Sequence, residues 1–219
     1  MEYLNNKNIT LWKDDIFKFK IDNNFTKNVA INLAQIHSST YGNSNMKSQF
    51  NTIKIFEELR IDPYIRSTSA IHDDVRNELL IIAKNLYKSE ISLVHGDISP
   101  KNILNNSSNP IFLDAECAWF GDPAFDVAFC LSHIILKSFY LKKIKDKLIL
   151  NFNIFSKSYI ENITFTHSYE YEKRIVLILS SLLLARIDGK SPIEYITSDE
   201  DKNKIRFFSK SILKRPLNS

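Results

Sequence analysis

Apolar positions recur at helical spacing along most of the chain. In "FTKNVAINLAQIHSSTY", residues 25–41, Phe25, Val29, Leu33 and Ile36 share one side of a helix, with Asn24 or Thr26 as a cap. The stretches 46–59 and 74–87 read the same way. The second opens after Asp73-Asp74, an acidic pair suited to the positive end of a helix dipole. Beyond Gly121 the same period predicts helices over 123–138, 141–159, 169–187 and 201–213. Between the two groups lies a strand-like island of short β-branched or apolar runs, "ISLV" (91–94), "IL" (103–104) and "IFLD" (111–114), separated by Asn, Ser, Pro and Gly. The pattern predicts a mainly α domain with a small β-hairpin, and no repeat or linker divides 1–219.

Composition narrows the chemistry. A chain of 219 residues that is 44% hydrophobic can bury a sizeable core, and four glycines leave few permissive turns. Lys and Arg number 29 against 25 Asp and Glu, a net charge of +4 with no dense basic block, which disfavours nucleic acid as a partner. The most apolar run, "IVLILSSLLLA" at 175–185, is too short to span a bilayer and reads as core, so no membrane partner is expected. Two cysteines, Cys117 and Cys130, and no charged-then-apolar leader pattern at Met1 predict a reduced cytoplasmic protein. His37, His72, His133 and His167 fall into no zinc-binding spacing.

The specific chemistry sits in "LVHGDISPKNIL", residues 93–104. If Ile103-Leu104 pairs antiparallel with Phe112-Leu113, such that Leu104 faces Phe112, Asn102 faces Asp114. Opposed Cβ atoms lie roughly 5 Å apart, close enough for an amide and a carboxylate oxygen to share one hard cation. Mg²⁺ takes such ligands while keeping waters and substrate phosphates in its other positions. Asp97, on the same loop, then supplies a carboxylate free to orient and deprotonate an attacking hydroxyl, the set of parts that phosphoryl transfer requires. Protein kinases carry the pattern H-R-D-x-x-x-x-N, and "HGDISPKN" fits it except at Gly96.

Other readings of these residues stay open. Asp97 could cap its own turn, and Asn102 is one of many asparagines. Glu116 faces the substrate or a second metal, or is an exposed loop residue. Lys101 contacts phosphate or is solvated. Asp122 suits a helix cap with Pro123 at the first helical position, and Asp126 suits the first turn of that helix. Cys117 reads as an inert thiol. Trp119, Phe120 and Phe125 pack beneath the loop or line an acceptor pocket.

"HGDISPKNIL" followed by "IFLDAECAWFGDPAFDVAF" resembles the aminoglycoside phosphotransferase and choline kinase-like group, small-molecule kinases that share the protein-kinase fold. The glycine in place of arginine and the "GDPAFD" segment point to this group, and "LAQIH" (33–37) and "RIDGKSPIEY" (186–195) resemble further parts of it. The resemblance implies the helical carboxy-terminal lobe of a kinase-like fold, with a β-hairpin carrying the catalytic and metal-binding loops. It implies Asp97 as catalytic base, Asn102 and Asp114 as Mg²⁺ ligands, His95 bracing the loop and Asp126 supporting it from below. ATP is the implied phosphoryl donor, and a small-molecule hydroxyl the acceptor: a sugar, an amino alcohol or an aminoglycoside-like compound. The group's amino-terminal β lobe has no recognisable counterpart, because only Gly42 and Gly96 precede Asp97 and no Gly-rich loop does. "MEYL" resembles the hinge, with backbone groups near Glu2 and Leu4 meeting adenine, so residues 1–4 read as a hinge remnant. A chain of this kind is expected to be a truncated form, weakly active or inactive without a missing amino-terminal lobe or partner chain. The alternative is a non-catalytic kinase-like scaffold or binding protein.

Overall fold

The computed structural model describes residues 9–166 and 168–215. It is mainly helical. The described chain enters through β1 (Ile9–Leu11) and α1 (Trp12–Phe17). In α2 (Asn23–Thr40), Asp22 caps the first turn by accepting from Asn24 N at 2.8 Å and Phe25 N at 3.1 Å. The buried residues of α2 run Phe25, Thr26, Val29, Ala30, Leu33, Ala34, His37 and Thr40, one helical face.

The helix predicted over 46–59 is two helices. α3 (Ser44–Gln49) stops, residues 50–52 break the winding, and α4 (Ile53–Phe56) restarts it. It continues through a π-helical stretch, Glu57–Arg66, into α5 (Ser67–Ser69). Pro63 lies inside this stretch. A proline has no N–H to give and crowds the preceding turn, and a local change of winding is one way a helix absorbs it.

The chain goes on through α6 (Arg76–Lys88), β2 (Ser92–Val94), β3 (Ile103–Asn106), β4 (Asn109–Phe112) and β5 (Trp119–Gly121). The last four helices are α7 (Ala124–Tyr140), α8 (Lys145–Asn162), α9 (Tyr169–Asp188) and α10 (Asp199–Leu213). α7 is buried almost all round, as expected of a helix apolar on every side, and packs against both α8 and α9. α2 lies on α8, α10 lies on α9, and the π-helical stretch packs against α6 and α9. No single helix among the described residues is long and apolar enough to cross a membrane.

The β-structure is more than one hairpin. β1, β3 and β4 form a three-stranded antiparallel sheet in the order β1-β3-β4, while β2 and β5 form a separate two-stranded ribbon. The hairpin register also differs from the expected one. Ile103 pairs with Phe112 and Leu104 with Ile111, so Asn102 lies across from Leu113, whose N–H donates to the Asn102 carbonyl at 2.9 Å. Asn102 does not face Asp114. The tip explains the slip, because the expected pairing needs three residues there and the chain turns in two. Ser107 and Ser108 adopt φ of 51° and 68°, the left-handed pair of a type I′ turn. Asn105 Oδ1 accepts from Ser108 N at 2.9 Å, and Asn28 and Asp22 of the α2 region hold Ser108 through its carbonyl and hydroxyl. Asp114, at φ 64°, then turns the chain out of the hairpin.

Candidate functional site

The 95–102 loop leaves β2 and is held by a carboxylate beneath it. Asp126, fully buried in the first turn of α7, accepts from His95 N through Oδ2 and from Gly96 N through Oδ1, both at 2.8 Å. Two successive backbone donors are thereby satisfied by one charged group, a strong form of hydrogen bond. His37 Nε2 lies 3.3 Å from the same Oδ2, and His37 Nδ1 is 2.8 Å from the Tyr159 hydroxyl, itself 2.8 Å from the Tyr171 hydroxyl. A buried polar chain thus runs from the loop across α2 to α8 and α9. Burial pushes both tyrosine hydroxyls well above their ordinary range, which keeps them neutral.

Gly96 is the residue this packing demands. Its φ is 81°, and a Cβ there would meet the Cys117 carbonyl oxygen at 2.6 Å and the Cys117 Cβ at 2.8 Å. No side chain fits, which accounts for the departure from H-R-D.

Asp97 is 3% exposed. Its Oδ2 pairs with Arg60 Nη2 at 3.0 Å and with Lys101 Nζ at 3.1 Å. Arg60, from the π-helical stretch, also donates through Nε to the Gly96 carbonyl at 2.7 Å and lies over the Phe129 ring at 5.6 Å. No hydrogen bond to Asp97 Oδ1 is formed among the described residues. Asn102 Nδ2 donates to the Asp97 carbonyl at 3.2 Å, which leaves the Asn102 amide oxygen as its free ligand atom. Asp97 N donates to His95 Nδ1 at 3.2 Å. That bond assigns the ring proton to Nε2, which is buried without a partner among the described residues.

The structure therefore gathers His95, Asp97, Asn102 and Asp126 around one loop. Asp114 and Glu116 lie on the exposed turn that follows β4, with no hydrogen-bond or ion-pair partner among the described residues. Among those residues no three His, Cys, Asp or Glu side chains form a metal cluster. The Asn102 amide oxygen and the Asp114 carboxylate are each hard oxygen donors of the kind Mg²⁺ takes alongside water and phosphate oxygens. Glu2 and Leu4 lie outside the described residues.

Neighbouring groups are structural. α7 starts at Ala124, after Pro123, one residue later than the expected cap geometry; Asp122 Oδ1 still accepts from Ala124 N at 3.0 Å. Burial raises the Asp122 carboxyl, and the Arg174 guanidinium at 2.8 Å offsets part of that rise. Burial also raises the thiols of Cys117 and Cys130, both free, away from the reactive thiolate. Trp119 stacks on Phe56 and meets Phe125 edge-on, beneath the ribbon.

Sequence reasoning missed Arg60 and His37. Arg60 sits 37 residues before its partner Asp97, in a helix that the proline obscured, and no spacing signals it. His37 did carry a signal: it lies four residues after Leu33, on the buried face of α2, where a polar residue needs a partner.

A family model described as a phosphotransferase enzyme family matches residues 19–143, more than half of the chain. No curated protein sequence matches the chain significantly.

Proposed function

The chain belongs to the phosphotransferase enzyme family, and on that premise we propose that it transfers the γ-phosphoryl group of ATP, with Mg²⁺, to the hydroxyl of a small molecule. In this reading residues 1–219 are the helical carboxy-terminal lobe of a kinase-like fold. Asp97 is the catalytic base. The observation that carries the proposal is its asymmetry: Arg60 and Lys101 hold Oδ2, while Oδ1 is left to accept the hydrogen of the acceptor hydroxyl. A fixed carboxylate with one free oxygen contributes by positioning, the main protein contribution to phosphoryl transfer.

Asn102 and Asp114 would hold Mg²⁺, which when bound spreads the charge of the transferring phosphoryl group. His95 and Asp126 act at one remove, by fixing the loop backbone on which Asp97 stands. Glu116, two residues beyond Asp114, is on the substrate side.

Calorimetry with Mg·ATP tests the reading. Binding by the wild type that is lost in Asp114→Ala and Asn102→Ala, and kept in Asp97→Asn with turnover abolished, is the expected result. Equal Mg·ATP binding by folded Asp114→Ala, or turnover by Asp97→Asn, would overturn it.

A further inference from the structure

Beyond Asp97, the inner face of α7 carries a lysine with no carboxylate paired to it among the described residues. Phe129, His133 and Lys137 succeed one another at four-residue steps, one side of the helix. Lys137 is 4% exposed and has no hydrogen-bond or ion-pair partner among the described residues; its Nζ lies 5.9 Å from the centre of the Tyr195 ring. A buried ammonium normally has a counter-charge or accepting groups, and a ring at that distance is a weak substitute.

Two more unspent donors come from other elements. Arg186, near the end of α9, uses Nη1 on the Ser191 carbonyl and hydroxyl, while its Nε is buried without a partner among the described residues. The Tyr195 hydroxyl is likewise buried and unpaired. Burial depresses the His133 imidazole, and Lys137, Arg186, Lys101 and Arg60 add to the depression, which places these four cations around it. The last two are the partners of Asp97, and Arg60 lies over Phe129, whose ring is 5.1 Å from that of His133. This side of α7 therefore runs from Lys137 back to the arginine that holds the base. Eight residues of helix separate Phe129 from Lys137, on the order of 12 Å at the helical rise, the span of a small metabolite.

We propose that the acceptor carries an anionic oxygen group, a carboxylate or a phosphate, which is received by Lys137, Arg186 and Tyr195 while its hydroxyl lies at Asp97. This deepens the phosphotransferase reading and rests on it for the role of Asp97. The acceptor class is thus a hydroxy acid or a phosphorylated alcohol, and a polycationic acceptor is excluded by the same charges.

The test is calorimetric titration of the full chain with inorganic phosphate, D-glycerate and neutral glycerol, for the wild type, Lys137→Met and Tyr195→Phe. Loss of a charge-assisted contact is worth about tenfold or more in affinity. The expected result is binding of phosphate or glycerate but not glycerol, weakened about tenfold or more by Lys137→Met and to a smaller extent by Tyr195→Phe. Which of the two anions binds tighter separates a phosphate-bearing from a carboxylate-bearing acceptor. Binding of neither anion, or equal binding by folded Lys137→Met and wild type, would overturn the proposal. So would competitive displacement of phosphate by Mg·ATP, which would assign the cluster to the donor. Anion binding as expected with no Mg·ATP binding by the same folded chain would leave the anion site standing and sink the phosphotransferase reading instead.

Discussion

Replacing Asp126 tests whether the loop's geometry is imposed from beneath. The carboxylate satisfies two buried backbone donors, His95 N and Gly96 N, each at 2.8 Å and each on its own oxygen. Hydrogen bonds to charged groups contribute about 1.5–3 kcal/mol each, and a buried donor left unsatisfied costs a similar amount. Asp126→Ala removes both bonds and strands His37 Nε2 as well, so a loss of about 3–6 kcal/mol is expected. Asp126→Asn keeps one oxygen but turns an NH₂ toward the other donor, and should lose about half as much. Against a typical total of about 5–15 kcal/mol, the alanine variant is expected to be marginal and the asparagine variant folded. Urea unfolding followed by circular dichroism gives both values, with midpoints compared at constant slope. The asparagine variant, folded, is then assayed for Mg·ATP-dependent turnover, which should fall because the Asp97 backbone has lost half its anchor. A loss below about 1 kcal/mol for Asp126→Ala, the size expected of an ordinary substitution, would refute the reasoning.

Three further outcomes follow from neighbouring contacts. Gly96→Ala combines a positive φ with a Cβ placed 2.6 Å from the Cys117 carbonyl, and should destabilise by about 2–5 kcal/mol in thermal or urea unfolding; a neutral result would mean that the 115–118 turn yields freely. Arg60→Met leaves Asp97 with only the half-exposed Lys101 and the Gly96 carbonyl without its donor. It should cost about 3–5 kcal/mol and most of the turnover, so wild-type stability in that variant would remove Arg60 from the site. Lys137 is pushed down to about 8 by burial, with Lys13 and Arg186 adding to the depression. Between about pH 8 and the ordinary lysine value of 10.5 the unfolded chain binds a proton that the native one has released, so stability rises with pH across that window, by about 3 kcal/mol in all. Lys137→Met should be more stable than the wild type at pH 7 by about that amount and lose the rise. Parallel pH profiles for the two proteins would show that the ammonium is not desolvated.

The helical body was legible because burial there follows a period. Phe25, Val29 and Leu33 of α2, and the apolar run of α9, carry the one-sided or all-round apolar pattern that a packed helix needs, and the structure builds helices over both. The cluster around His95, Asp97 and Asn102 was legible because it is local in sequence. What escaped was non-local or aperiodic. β1 is three residues long, too short for alternation to register, and exists because β3 offers it an edge. The hairpin register turned on a Ser-Ser tip adopting the left-handed pair that Asn-Gly would have advertised. Pro63 signals a helix end in sequence, yet the chain winds on through it, in the same π-helical stretch that holds Arg60 against Asp97.

The buried chain from Asp126 through His37 to Tyr159 and Tyr171 makes the 95–102 loop a poor candidate for transplantation. Its shape is written in four helices, α7, α2, α8 and α9, and in the backbone of residue 117. Grafted alone onto another scaffold, the octapeptide "HGDISPKN" would keep its chemistry and lose its conformation. In the opposite direction, a protein-kinase H-R-D loop brought here would drive an arginine side chain into the Cys117 carbonyl. Exchange between such proteins has to move the loop and its floor together.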